Sequence, residues 1–71
     1  MDDIVIENRL KLARVELGLS QAELAERAGV TRQTIGLIEA GRYNPTLKLC
    51  LILVRETGRS LDELFWAKEE K

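Results

Sequence analysis

The stretch Ser20–Arg42, SQAELAERAGVTRQTIGLIEAGR, holds two short helical patterns on either side of Gly29 and Val30. The first is amphipathic in the ordinary way, with Leu24, Ala25 and Ala28 on one face. Ser20 precedes it and Glu23 follows three residues later, the signature of a capping box. Gly29 ends it. Thr31 can cap the second pattern, Val30 and Ile35 are spaced as a hydrophobic staple across that cap, and Gly41 closes it. With Arg32 at zero and ~100° per residue, Gly36 falls at ~40°, Ala40 at ~80°, Gln33 at ~100° and Leu37 at ~140°. Ile35 and Ile38 fall at ~300° and ~240°. One side of this helix is therefore core. The other carries a guanidinium, an amide, a glycine and a leucine where a solvated helix would carry Glu and Lys.

That outer face suits a groove floor. Arg and Gln make paired hydrogen bonds to guanine and adenine edges in the DNA major groove, and an apolar side chain can meet a thymine methyl. Gly36 costs ~1 kcal/mol in a helix interior but removes bulk where a backbone must come close. Arg32, Gln33, Gly36 and Leu37 are thus the candidate base readers. The inner spacing agrees. Counting Gln21 as first, the small Ala25 is fifth, Gly29 is ninth and Ile35 is fifteenth. A small fifth residue lets the helices cross closely, the glycine allows a left-handed turn, and the fifteenth residue plugs the gap. Leu24, Val30 and Ile38 fill the remaining inner positions.

Outward from this stretch the punctuation stays regular. A first helix is expected from about Glu7 to Leu17, with Leu10, Ala13 and Leu17 at helical spacing and Gly18 closing it. Asn44–Pro45 marks a loop, after which Thr46 caps a fourth helix, LKLCLILVRET. It is apolar on nearly every side and is expected to be the central buried element. Gly58 ends it. Ser60 and Glu63 form a second capping box, opening a short fifth helix through about Phe65. The segments DIVIE and FWAKE resist the helix reading and suit short strands, paired with each other.

The whole is 71 residues, the size of one small domain, which buries only about 60% of its unfolded surface. A partner subunit would help it. Apolar residues make up 45% and charged residues 32%, the balance of a globular protein. One cysteine and no histidine exclude an intrachain disulfide and the usual zinc sites. Cys50 lies in the apolar run of the fourth helix and is expected to fill core. The acidic Met1–Asp2–Asp3 start shows no signal peptide, and the longest apolar run, Leu49–Val54, is too short to span a bilayer. A cytoplasmic location is expected. Net charge is −1, but it is unevenly spread: residues 27–59 are basic and both ends acidic. A basic middle can meet phosphates.

The run from Leu10 to Phe65, with LGLSQAELAERAGVTRQTIGLIEAGRYNPTL and TGRSLDELF as its matching residues, resembles the Cro/repressor-type helix-turn-helix family, also called the xenobiotic-response-element family. The resemblance implies an all-α, compact five-helix bundle that binds operator DNA, usually as a dimer, and regulates transcription. Its smallest single-domain members carry short terminal strands, which suits a two-stranded sheet from the ends here. Carried over, Gln21 touches a phosphate at the start of helix two (about 21–28). Arg32 and Gln33 read bases from the recognition helix (about 32–40), and Leu37 holds a third reading position. Arg42, Tyr43 and Asn44 meet the backbone, and Thr31 and Thr34 join the phosphate set. Arg14 and Glu39 match a partly buried salt bridge. Gly36 and Leu37 depart from the commoner polar residues, so no particular operator sequence is implied.

These features predict one domain over residues 1–71 acting as a homodimeric transcriptional repressor on a pseudo-palindromic double-stranded operator. Leu61, Leu64, Phe65 and Trp66 are the expected dimer interface. No cofactor, metal, membrane or small-molecule effector is expected, and the chain leaves no room for a catalytic or effector domain. With no histidine, metal cluster or nucleophile–base pair, an enzyme is not expected. Two alternatives stay open: the antitoxin of a toxin–antitoxin pair, and a protein-interaction module that has kept the fold without binding DNA.

Overall fold

A computed structural model describes residues 4–68. Its elements run β1 (Ile6–Asn8), α1 (Leu10–Glu16), α2 (Gln21–Ala28), α3 (Arg32–Glu39), α4 (Leu47–Thr57), α5 (Leu61–Leu64) and β2 (Phe65–Ala67). Five helices surround one core, and the two terminal strands pair as a small antiparallel ribbon.

The expected caps at Ser20, Thr31 and Thr46 form, and the box at Ser60 forms through the Glu63 carboxylate alone. Ser20 Oγ accepts from the Glu23 amide at 3.0 Å, and the Glu23 carboxylate accepts from the Ser20 amide at 2.8 Å. These bonds hold the Glu23 carboxyl below the usual carboxylate range. Thr31 and Thr46 cap α3 and α4 by accepting from Thr34 and Leu49. At α5 the Ser60 amide donates to the Glu63 carboxylate at 2.8 Å, and the Ser60 hydroxyl donates to Asp62 at 2.6 Å. Phe65 is extended, with φ −138° and ψ 135°, so α5 stops one residue earlier than its periodicity suggested.

The core takes its largest fully buried side chains from all five helices: Leu10, Leu24, Ile35, Ile38, Leu53 and Leu64. Ala25, 3% exposed, sits at the α2–α3 crossing as its spacing required. The turn between these helices passes through Gly29 at φ 75°, with the Val30 amide donating back to the Ala25 carbonyl at 3.0 Å. A Cβ at Gly29 would meet nothing within 4 Å, so its cost is that of the left-handed backbone alone, ~1–2 kcal/mol. Gly29→Ala should therefore lower the melting temperature by about 4–15 °C for a domain of this size; thermal unfolding followed by circular dichroism checks it.

Four expectations need correction. Leu17 is 49% exposed, and Leu19 is the buried leucine there. Gly18 turns the chain back at φ 72°, and the Leu19 amide donates to the Arg14 carbonyl at 3.1 Å, carrying Leu19 under the helix. Helix one begins at Leu10 rather than Glu7, because Glu7 and Asn8 pair with Trp66 and Phe65 in the ribbon. The N-cap position is Arg9, which makes no side-chain cap, and Asn8 Oδ1 accepts from the first helical amide, that of Leu10, at 3.1 Å. Helix four is not wholly buried. Leu49, Cys50, Leu53 and Thr57 face the core, while Leu47 and Leu51 are 65% and 51% exposed. Only α2 and α5 pack closely against it, so one side is covered although apolar residues run around it. The expected strands form with different bounds: DIVIE contributes only Ile6 and Glu7 to a strand that runs on to Asn8, and FWAKE contributes Phe65–Ala67. Asp3, Glu69 and the acidic Met1–Asp2–Asp3 start lie outside the described residues.

The ribbon also does something that periodicity did not reveal. The Asn8 side-chain amide donates to the Ile38 carbonyl at 2.9 Å, and the Arg9 amide donates to the Leu64 carbonyl at 2.9 Å. The chain's beginning is thereby tied to the last turn of α3 and to the end of α5. Burial pushes the Cys50 thiol up from its ordinary pKa, in keeping with a core filler.

Candidate nucleic-acid interface

Helix α3 is anchored from below and open above. Ile35 and Ile38 are 0% and 1% exposed, which fixes the rotation of the helix. Arg32 and Gln33 then face solvent, Leu37 is 37% exposed, and Gly36 is half-buried. The four candidate base readers thus share the outward side of one eight-residue helix. Gly36 is not required by the fold: a Cβ there would meet only the Gln21 amide, at 3.7 and 3.9 Å, ordinary contact distances. Whatever needs the bare backbone lies outside the chain or in the side chain of Gln21.

The end of α3 turns out through Gly41, and the Arg42 amide donates back to the Leu37 carbonyl at 2.9 Å. Arg42, Tyr43 and Asn44 follow as an exposed run just after the helix. At the other end Thr31 and Thr34 exchange a hydroxyl contact at 3.0 Å. Their hydroxyls flank the helix N-terminus, where backbone N–H groups and the helix dipole favour an anion. Glu39 is instead covered by its neighbours, and its side chain is only 4% exposed. So α3 exposes Arg32, and Arg42 is exposed just beyond its end, while the one carboxylate of α3 is covered and paired with Arg14.

That carboxylate is the hub of a partly buried network. Arg14 Nε donates to Glu39 Oε2 at 2.7 Å and Arg14 Nη2 to Glu39 Oε1 at 3.2 Å, a forked pair. Arg14 Nη1 donates to the Leu19 carbonyl at 2.8 Å. The Glu39 contact raises the Arg14 pKa further above its ordinary value. Gln21 completes the set: its Nε2 donates to Glu39 Oε1 at 3.0 Å and its Oε1 accepts from Arg32 Nη1 at 3.4 Å. The expected Arg14–Glu39 pair is therefore present. Gln21, expected at a phosphate, has both ends of its amide engaged inside the protein.

Of the residues expected at a dimer interface, Leu64 is 1% exposed and belongs to its own protomer's core. This corrects its placement: as the last residue of the single-turn α5 it packs into the core cluster rather than at the surface. Leu61 is 37% exposed. Phe65 and Trp66 are half-buried, and the Arg9 guanidinium lies 5.0 Å from the Trp66 ring centroid, a cation–π contact. Leu47 and Leu51 on α4 and Leu12 and Val15 on α1 are more exposed than any of these. The i, i+4 and i, i+3 spacing of these pairs carried that signal, masked by the apolar composition of both helices.

With this geometry in place, the comparison with known proteins is direct: the family model described as "Helix-turn-helix" matches residues 10–64. The chain belongs to the helix-turn-helix family. Relatives in this family are named as transcriptional regulators, not as enzymes. One is an uncharacterised HTH-type transcriptional regulator, YgzD, of Bacillus subtilis, 40% identical over 65 residues, spanning 92% of this chain and 98% of the relative. Another, from Methanothermobacter thermautotrophicus, is 52% identical over 58 residues, spanning 80% and 84%. Among solved structures, the restriction-modification controller protein C.AhdI from Aeromonas hydrophila superposes with a TM-score of 0.71 at 33% identity, covering 76% of this chain and 82% of that one. This helix-turn-helix chain is therefore a transcriptional regulator in its family and its fold. Among the described residues no helix is long and apolar enough to cross a membrane, and no cluster of His, Cys, Asp and Glu could hold a metal.

Proposed function

We propose that residues 1–71 form one DNA-binding domain that acts as a homodimeric repressor on a pseudo-palindromic operator. The observation that supports this reading best is the outward side of α3. Arg32, Gln33 and Leu37 are open to solvent on a helix whose opposite side is locked into the core by Ile35 and Ile38. A recognition helix in the major groove presents its side chains this way. Arg32 and Gln33 read base edges, Leu37 meets a thymine methyl, and Gly36 leaves room for the groove wall. Arg42, Tyr43 and Asn44, with Thr31 and Thr34, meet phosphates and set the register. Occupying the operator excludes polymerase, so repression needs no second domain.

Dimerisation follows from the size of the reading head. One recognition helix touches only a few base pairs, and a two-fold pair reads half-sites about one helical turn, ~34 Å, apart. Leu61, Phe65 and Trp66, with Leu64 beneath them, form the two-fold contact in this reading. Trp66→Ala should then weaken operator binding without touching DNA and make binding steeper in protein concentration. Sedimentation equilibrium at micromolar concentration tests the interface. The parent should be a dimer and the Trp66→Ala variant, still folded by circular dichroism, should dissociate. A monomeric parent, or a variant as dimeric as the parent, would remove this interface.

A further inference from the structure

We propose that Glu39 is a specificity-determining positioning residue, acting through the amide of Gln21 on the posture of Arg32. The inference rests on the reading above that Arg32 meets base edges. Its basis is the chemistry of a single amide. A carboxylate accepts hydrogen bonds and donates none. Glu39, buried and held by the fork of Arg14, can therefore receive Gln21 only through its NH2 group, and the 3.0 Å contact is of that kind. The Gln21 carbonyl oxygen must then point the opposite way, toward Arg32. Since a guanidinium only donates, the fixed carbonyl is the complement Arg32 needs. Had an amide or hydroxyl stood at 39, either face of Gln21 could turn outward, and an outward NH2 would repel the guanidinium.

The relay passes over Gly36, with the Gln21 amide 3.7 Å from where a Cβ would stand, an ordinary contact distance. Arg14 sets Glu39, Glu39 sets the polarity of Gln21, and Gln21 biases Arg32. At 3.4 Å the last bond is long, so it biases the guanidinium without locking it, and Arg32 remains free to complete its geometry on DNA. Holding a long side chain near its bound posture lowers the ordering cost of binding. That gain falls on the base Arg32 reads rather than evenly on the backbone.

The test is a set of affinities for duplexes carrying each of the four base pairs at the position whose preference Arg32→Ala flattens. Gln21→Met keeps the length of the side chain and leaves the Arg14–Glu39 pair intact, so folding is retained. It should reduce the preference at that position by about 3–10-fold, the worth of one ordinary hydrogen bond. In an Arg32→Ala background it should change that preference no further. In the DNA-free protein, Glu39→Gln should shift the side-chain amide signals of Gln21 in a 15N-correlated NMR spectrum. If Arg32→Ala is base-specific but Gln21→Met weakens all four duplexes evenly, Gln21 is a phosphate contact and the relay is overturned while Arg32 stands. If Arg32→Ala itself loses affinity evenly, the base-reading assignment falls and the proposal with it. Unmoved Gln21 signals in Glu39→Gln would remove Glu39 from the chain of effects.

Discussion

Arg14→Met should lower the free energy of unfolding by about 3–5 kcal/mol, the usual cost of stranding one partner of a buried ion pair. The side chains of Arg14 and Glu39 are 11% and 4% exposed, so water has little access to replace the lost contacts. Removing the guanidinium leaves Glu39 with only Gln21 as a donor and leaves the Leu19 carbonyl without its partner. A domain of this length has a total stability of roughly 4–11 kcal/mol, so the loss is a large share of it. Urea unfolding measures it directly. The double variant Arg14→Met/Glu39→Met should recover much of the loss, because two matched apolar groups avoid the buried charge. A loss under about 1 kcal/mol would mean that solvent reaches the pair.

Arg32→Ala should cost ~1–3 kcal/mol in operator binding, concentrated at one base pair in each half-site. Arg42→Ala should instead weaken all sequences alike and reduce the salt dependence of binding by about one ion. The contrast follows from position. Arg32 stands on the outward side of a helix whose rotation Ile35 and Ile38 fix. Arg42 stands after the turn at Gly41, beyond the last residue of the helix. Phosphates carry no sequence information, whereas base edges do. Affinities across a mismatch series at two salt concentrations separate the two behaviours.

The spacing of small, left-handed and apolar positions made the centre of this fold legible. Ala25, Gly29 and Ile35 each have one physical job at the α2–α3 crossing, and each is placed where its spacing required. The caps at Ser20, Thr31 and Thr46 were readable for the same reason: a local hydrogen bond depends on local sequence. What escaped was tertiary. Leu17 and Leu19 are both apolar, and only the turn at Gly18 decides which is buried. Asn8 looked like the first turn of a helix, but pairing with Phe65 and its bond to Ile38, 30 residues away, made it a strand end and a tether. Leu47 and Leu51 lie on a helix apolar all round, and composition does not say which side has neighbours. At the interface, the outward placement of Arg32, Gln33 and Leu37 followed from helical angle. The engagement of Gln21 by Glu39 and Arg32 did not, because it joins three residues whose proximity depends on how two helices cross.

The central claim is that α3 reads DNA sequence from its outward side, in two copies. Selection of binding sites from random duplex DNA tests it most directly. The account predicts enrichment of a pseudo-palindrome whose half-sites lie about one helical turn apart, with Arg32→Ala relaxing the same position in both halves. Enrichment of no sequence, or of a site that Arg32→Ala leaves unchanged, would contradict it.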